Sequence, residues 1–387
     1  MINCPTNPGS RAKLTTGQEK LGEVCEKLNL QKAPIGSWPY VEIGDIDIEN
    51  KSIIFKDKKS IRGAIIAPAD SVLVSRVRPT RGAIVYIDKD YVVSSAFSIL
   101  KPKLSESFSK FLFYWLGFSK NFFQYLQKKQ KGSNYPSVRD KDILNFKIHI
   151  PSLKIQQKIV ERLDAIKKAQ ELNDKQITLT DELFQSLLHQ ELKPKGKNWE
   201  VKKLGELIET QYGYTASAKD KGNYRFVRIT DIDDDGNLKQ NDKKYVSLSL
   251  KEIKDYVLDK EDLLLARIGS IGKILYFCDD EPSIFASYLI CLSPDKSKII
   301  PQYLWLFSRT PDYWRQVKLF AAGAVQPQFN ANRIKQIKIS LPPIEIQRKI
   351  VEKLSAVQEY KKKLVEQREK LKELFESVLH KSMAGKI

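Results

Sequence analysis

The chain is 387 residues long and carries 66 Lys+Arg against 47 Asp+Glu, a net charge of +19 and a pI near 9.5. Its 42% hydrophobic and 10% aromatic content excludes a disordered chain and suits two or three domains with real cores. No stretch approaches the ~18 uncharged apolar residues of a membrane span, so the cationic excess predicts a polyanionic partner, nucleic acid ahead of a membrane surface.

At the N-terminus, Met1 to Lys13 lacks the apolar core of a signal peptide. Cys4, Cys25, Cys278 and Cys291 lie far apart with no C-x-x-C pair, which argues against a disulfide scaffold or zinc site and fits a reducing cytoplasm. Residues 1–150 read as a mixed domain of short strands and helices. Tyr40-Val41-Glu42-Ile43, Val72-Leu73-Val74 and Ala83-Ile84-Val85-Tyr86-Ile87 are its strand candidates. Arg76, Arg78 and Arg81, interrupted by Pro79, form a loop whose planar guanidinium forks suit guanine O6 and N7 or phosphate. Phe111 to Leu116 reads as an aromatic core helix anchoring the sheet rather than a base-stacking platform. The loop Lys131 to Arg139 offers Ser133, Asn134, Tyr135 and Arg139 to base edges or phosphate.

Residues 151–192 then carry a helical pattern that stops at the breaker-rich Lys193-Pro194-Lys195-Gly196. A second mixed domain follows at 193–341, with Phe226 to Ile229, Leu263 to Leu265 and Lys273 to Phe277 as counterparts of the first domain's strands. Its candidate DNA contacts are Tyr214 and Thr215 in one loop, Arg267, Ser270 and Lys273 in the next, and Gln326, Gln328 and Asn330 in a third. The run Gly269 to Ile274 is not a nucleotide loop, because Arg267 takes the place of its first glycine and Ile274 that of the Ser/Thr. It reads as a glycine-rich turn with Lys273 exposed to phosphate. Glu42, Asp45 and Asp47, and Asp231, Asp233, Asp234 and Asp235, could gather a metal, but a solvated turn at Asp233 to Gly236 is the simpler reading. No catalytic or metal constellation stands out.

Residues 342–387 form the second long helix. Val357, Leu364, Leu371 and Val378 recur every seven residues, with Tyr360 and Leu374 filling the seam of a coiled coil. The first helix keeps Ile166, Ala169, Leu183 and Leu187 there, around a polar middle of Asn173, Gln176 and Thr180. Gln176 and its counterpart Gln367 are both predicted to point inward. His189 and His380 fall near helix ends, where an imidazolium complements the dipole.

The chain is also built twice. Residues 132–189 reappear at 323–380 without a gap, and 21 of the 58 aligned positions are identical. Lys20-Leu21-Gly22-Glu23 returns as Lys203-Leu204-Gly205-Glu206, the glycine-then-proline loop at Gly132/Pro136 as Gly323/Pro327, and Pro151 to Gln156 as Pro342 to Gln347. Both helices end in E-L-F-x-S-x-L-H. In order and double occurrence, these pieces resemble the specificity (S) subunits of type I restriction-modification systems, over essentially the whole chain. The first domain departs from the family pattern in its opening loop, where Lys27 to Trp38 lacks a G-x-T-P-like turn.

The resemblance implies an α+β fold with two similar target-recognition domains joined by two long helices in an antiparallel coiled coil, with pseudo-two-fold internal symmetry. It also implies a non-catalytic subunit in which each domain reads one half of a split double-stranded DNA sequence and the helices set the spacer. Methyltransferase subunits, two of them, would dock on the helices, and restriction subunits would join. S-adenosylmethionine, ATP and magnesium would belong to those partners, with no cofactor on this chain. Two other readings stay open from the residues alone: a stand-alone coiled-coil DNA-binding or scaffold protein, and a nuclease or methyltransferase in its own right.

Overall fold

The computed structural model describes residues 18–26, 28–37, 39–103, 106–193, 198–233, 235–321 and 329–383. The chain divides into two compact units, Met1–Asp174 with Gln367–Ile387, and Lys175–Glu366. The division runs through the two long helices, Leu153–Leu192 and Ile344–Met383, rather than at their ends.

Each unit closes on itself where its long helix begins. Gln18–Lys20 pairs antiparallel with Lys147–His149 in the first unit, and Glu200–Lys203 with Lys338–Leu341 in the second. The K-L-G-E motif supplies this closure. Leu21 and Leu204 are fully buried, and the Glu23 and Glu206 carboxylates accept from the backbone N–H of Lys20 and Lys203, each at 3.0 Å. A Cβ on Gly205 would lie 3.0 Å from Lys335 Cβ and 3.1 Å from its carbonyl oxygen, so glycine lets the turn sit flush on the end of the short helix Ala331–Ile334.

Strand alternation divides each unit into two cores. Ser71–Ser75 lies between Ile84–Ile87 and Phe97–Leu100, and every one of its residues is buried. Val72 and Val74 face a core that holds Phe108, Phe111 and Leu112 of the helix Glu106–Phe118, while Leu73 faces Val41, Val85 and Val93. In the second unit Leu263–Ala266 plays the same part: Leu263 and Leu265 pack with Tyr303 and Leu304, and Leu264 and Ala266 with Val227 and Phe285. The aromatic segments are core helices, as their sequence predicts. Each unit also has a second, three-stranded sheet containing a parallel pair, Tyr40–Val41 with Tyr91–Val93 and Tyr224–Val227 with Ser283–Phe285.

The long helices run antiparallel. In the first unit Ile159, Leu163 and Ile166 share a core with Phe375 and Leu379; in the second, Phe184, Leu188 and Leu192 share one with Ile350 and Leu354. The start of each helix therefore lies with the end of the other. Gln156 and Gln347 anchor the starts: both are fully buried, and their amides donate to the carbonyls of Pro151 and Pro342 at 2.6 and 2.9 Å. Gln347 also bonds the backbone at Lys298 and Ile300.

The seam corrects part of the sequence reading. Leu364 is buried, and Val357, Leu371 and Val378 are partly so, but Tyr360 and Leu374 are 50% and 48% exposed. Leu183, Gln176 and Gln367 are exposed as well. The second seam position lies four residues after the first, at Lys361 and Phe375, not three. Lys361 disguises it, because its ammonium pairs with Asp181 at 2.6 Å. Asn173 and Thr180 are inward as expected, with Thr180 Oγ1 donating to the Gln176 carbonyl at 2.7 Å. Among the described residues no helix is long and apolar enough to cross a membrane.

Moving the seam has a measurable consequence. Leu354→Ala should lower the unfolding free energy by about 2–5 kcal/mol, whereas Tyr360→Ala should stay within about 0.5 kcal/mol of the parent. Urea denaturation of the two variants checks this; equal losses would restore Tyr360 to the seam.

Candidate nucleic-acid interface

In the first unit the two candidate loops form one surface. Arg78 donates its backbone N–H to the Pro136 carbonyl at 2.7 Å, and Val138 donates to the Arg76 carbonyl at 2.9 Å. Gly132, at φ +96°, makes the bend; a Cβ there would press on the Tyr135 carbonyl at 3.2 Å. Arg78 is itself left-handed, at φ +48°, an uncommon conformation for a side chain of this size. Its guanidinium lies 5.0 Å over the ring of Tyr135, which is 71% exposed. Arg81, Ser133 and Asn134 are exposed beside it.

Arg76 and Arg139 each pair with an aspartate. The Arg76 guanidinium meets Asp140 at 2.9 Å and donates to the Ser95 carbonyl, and Arg139 is held by Asp142 at 3.0 Å. Neither presents the whole free fork that its sequence position suggests.

The second unit repeats the backbone pattern. Arg267 donates its N–H to Tyr288 and accepts from Phe329, as Arg76 does with Ala96 and Val138. Its side chain behaves differently: the guanidinium lies 5.0 Å over Tyr212, whose hydroxyl accepts from the Ala331 N–H at 3.3 Å. The sequence points to this segment through Tyr214 and Thr215 rather than Tyr212. Thr215 is exposed, whereas Tyr214 is partly buried against Tyr256, with ring centroids 5.2 Å apart. Between Tyr212 and Tyr214, Gly213 passes so close to the neighbouring stretch of chain that a Cβ would fall 2.2 Å from the Ala286 carbonyl oxygen.

Ser270 is exposed in a tight turn between strands, with Gly269 and Gly272 at φ +65° and +84°. Lys273 departs from expectation: it is partly buried, and its ammonium donates to the Asp233 carbonyl at 3.1 Å rather than facing solvent. Asn330 caps the helix Ala331–Ile334, its side-chain oxygen accepting from the Arg333 N–H at 3.0 Å. Gln326 and Gln328 lie outside the described residues.

Among the described residues the acidic stretches are turns, and Asp234 lies outside the described residues. Asp45 and Asp231 accept from the backbone N–H of Glu42 and Arg228 at 3.0 and 2.8 Å. Burial pushes the Asp45 carboxyl up, but bonds from the Glu42 N–H, Lys56 and Lys58 outweigh it and hold the group below the usual range. Gly236 closes a turn on the Asp233 carbonyl at 3.2 Å, and among the described residues no group of His, Cys, Asp or Glu could hold a metal ion.

The family model for the type I restriction modification DNA specificity domain matches residues 17–180 and again 196–373. The chain belongs to that family. It is 26% identical to the type I restriction enzyme MjaVIII specificity subunit of Methanocaldococcus jannaschii, over 78% of this chain and 76% of that one. A protein assigned as the MjaX specificity subunit of the same organism is 34% identical, over 41% of this chain but only 39% of its own length. Two solved structures share the fold: the S subunit of a type I restriction-modification system from M. genitalium (TM-score 0.62, 14% identity, 95% and 96% of the two chains) and the HsdS subunit from Thermoanaerobacter tengcongensis (0.51, 21%, 96% and 97%). The doubled family domain explains why the backbone bonding at Arg76 returns at Arg267.

Behind the first specificity domain's arginine loop, Lys51 is buried, with its ammonium 2.7 Å from the Gly82 carbonyl and 5.7–5.8 Å from the rings of Phe118 and Phe123. Burial pushes it from the ordinary 10.5 down to about 8. The folded chain releases this proton near pH 8, while the unfolded chain keeps it to about 10.5. Stability should therefore rise with pH across that window, and the full cost should be present below pH 8. In Lys51→Met this component is missing, so the Tm difference between parent and variant should move in the parent's favour from pH 8 to 10. A difference independent of pH would contradict the assignment.

Proposed function

We propose that this chain is the specificity subunit of a type I restriction-modification complex, a non-catalytic DNA-binding protein whose two units each read one half of a bipartite double-stranded target. The observation that carries the reading is the double occurrence of the specificity domain on one chain, each copy closed onto a long helix. A repeated frame suits identical methyltransferase subunits, two per chain, while loops that differ in residue and geometry suit an asymmetric DNA sequence. Net charge of +19 supplies the sequence-independent attraction to phosphate.

In this reading the chemistry belongs to partners. Methyltransferase subunits bring S-adenosylmethionine, and restriction subunits bring ATP and magnesium, all in the cytoplasm. The antiparallel helices act as the spacer ruler.

Co-expression with a methyltransferase subunit, followed by mapping of genomic methylation, should reveal a split, asymmetric motif; a continuous motif, or none, would reject the reading. Inserting about four residues in one long helix adds roughly 6 Å of rise, close to two base pairs. The spacer should lengthen accordingly, and an unchanged spacer would reject the ruler.

A further inference from the structure

Arg78 and Arg267 differ from four other arginines that are withdrawn from solvent. Arg76, Arg225, Arg228 and Arg309 each meet a carboxylate, at 2.9, 2.7, 2.7 and 3.2 Å. That is the ordinary outcome for a guanidinium that loses water. Arg78 and Arg267 are also partly buried, yet among the described residues neither has a carboxylate partner. Each instead lies 5.0 Å over a tyrosine ring, Tyr135 and Tyr212. A ring under the guanidinium restricts the fork, and among the described residues its edge donors have no protein acceptor.

The duplication does not account for this pair. By backbone bonding, the counterpart of Arg267 is Arg76, which is spent on Asp140. Arg78 sits two residues later and takes a left-handed backbone to reach its ring. The tyrosines differ too: Tyr135 comes from the loop near the end of its domain, and Tyr212 from the end of a strand near the start of its own. Two domains thus reach one side-chain arrangement, on one edge of the shared frame, from non-equivalent residues.

We propose that Arg78 on Tyr135 and Arg267 on Tyr212 are base-reading pairs, each arginine taking the O6 and N7 edge of a guanine in its own half-site. The inference rests on the bipartite DNA reading above and deepens it. A fixed planar fork matches two acceptors on one base edge, whereas a phosphate is served equally by a mobile side chain. The arginines contact the base; the tyrosines are positioning residues.

The test uses the complex with its methyltransferase subunits and duplexes carrying the mapped motif, with each guanine replaced in turn by 7-deazaguanine, which lacks the N7 acceptor. In each half-site one replacement should weaken the parent about tenfold. Arg78→Ala should lose that sensitivity in one half-site only, and Arg267→Ala in the other. Arg78→Lys keeps the charge and should lose the sensitivity as well. Tyr135→Phe should retain it and Tyr135→Ala reduce it, with melting curves confirming that each variant is folded.

The proposal is overturned if the parent tolerates every 7-deazaguanine, or if a half-site contains no guanine. It is also overturned if Arg78→Ala weakens all sequences alike and lowers the salt slope by about one, the signature of a phosphate contact. In each of these cases a split motif is still bound, so the function stands and only the pairs fall. Absence of any split motif removes the function itself, and the pairs with it.

Discussion

Everything that positions the loops depends on a short closure at the root of each long helix. The chain enters each unit on one strand and leaves it on the antiparallel neighbour, Gln18–Lys20 against Lys147–His149 and Glu200–Lys203 against Lys338–Leu341. A buried leucine, a glycine packed tightly on Lys335 in the second unit, and a glutamate capping the first backbone N–H hold this ladder. A buried glutamine then ties the first helical turn to the proline before it. The strand that leaves the unit leads directly into the helix, so in the first unit the candidate loop at 131–139 has a definite place relative to the helix axis. Short motifs that look weak in a sequence are strong here because each satisfies backbone groups that would otherwise be orphaned.

Above that root, the central strand of each unit separates two cores by simple alternation, and its last residue delivers the arginine-bearing loop. The frame is common to both units down to individual backbone bonds around Arg76 and Arg267. Side chains on it diverge. One domain binds its frame arginine to an aspartate and stacks the arginine two residues on; the other stacks the frame arginine itself. Constant backbone with variable side chains is what two reading heads on one kind of scaffold require.

Much of this was legible in the sequence for a physical reason: the repeat is written in helix starts, glycines and buried strands, which act locally. The helix ends, the buried strands at Val72 and Leu263 and the aromatic core helices follow from periods of a few residues. The seam phase did not, because Lys361 keeps its charge on Asp181 while Tyr360 and Leu374, apolar by type, face solvent. The fate of the candidate arginines was hidden too. Arg76 finds Asp140 across 64 residues, and Lys273 finds the Asp233 carbonyl across 40. Whether a guanidinium is spent or available is a tertiary property, which no local pattern reports.

The central claim is that each closed unit reads its half of the target independently of the other. Exchanging residues 18–150 for the corresponding domain of another specificity subunit, with both long helices and the second domain left intact, tests it most directly. Methylation mapping of cells carrying the chimera and a methyltransferase subunit should show one half of the motif replaced, with the other half and the spacer unchanged. A motif altered in both halves would contradict the account.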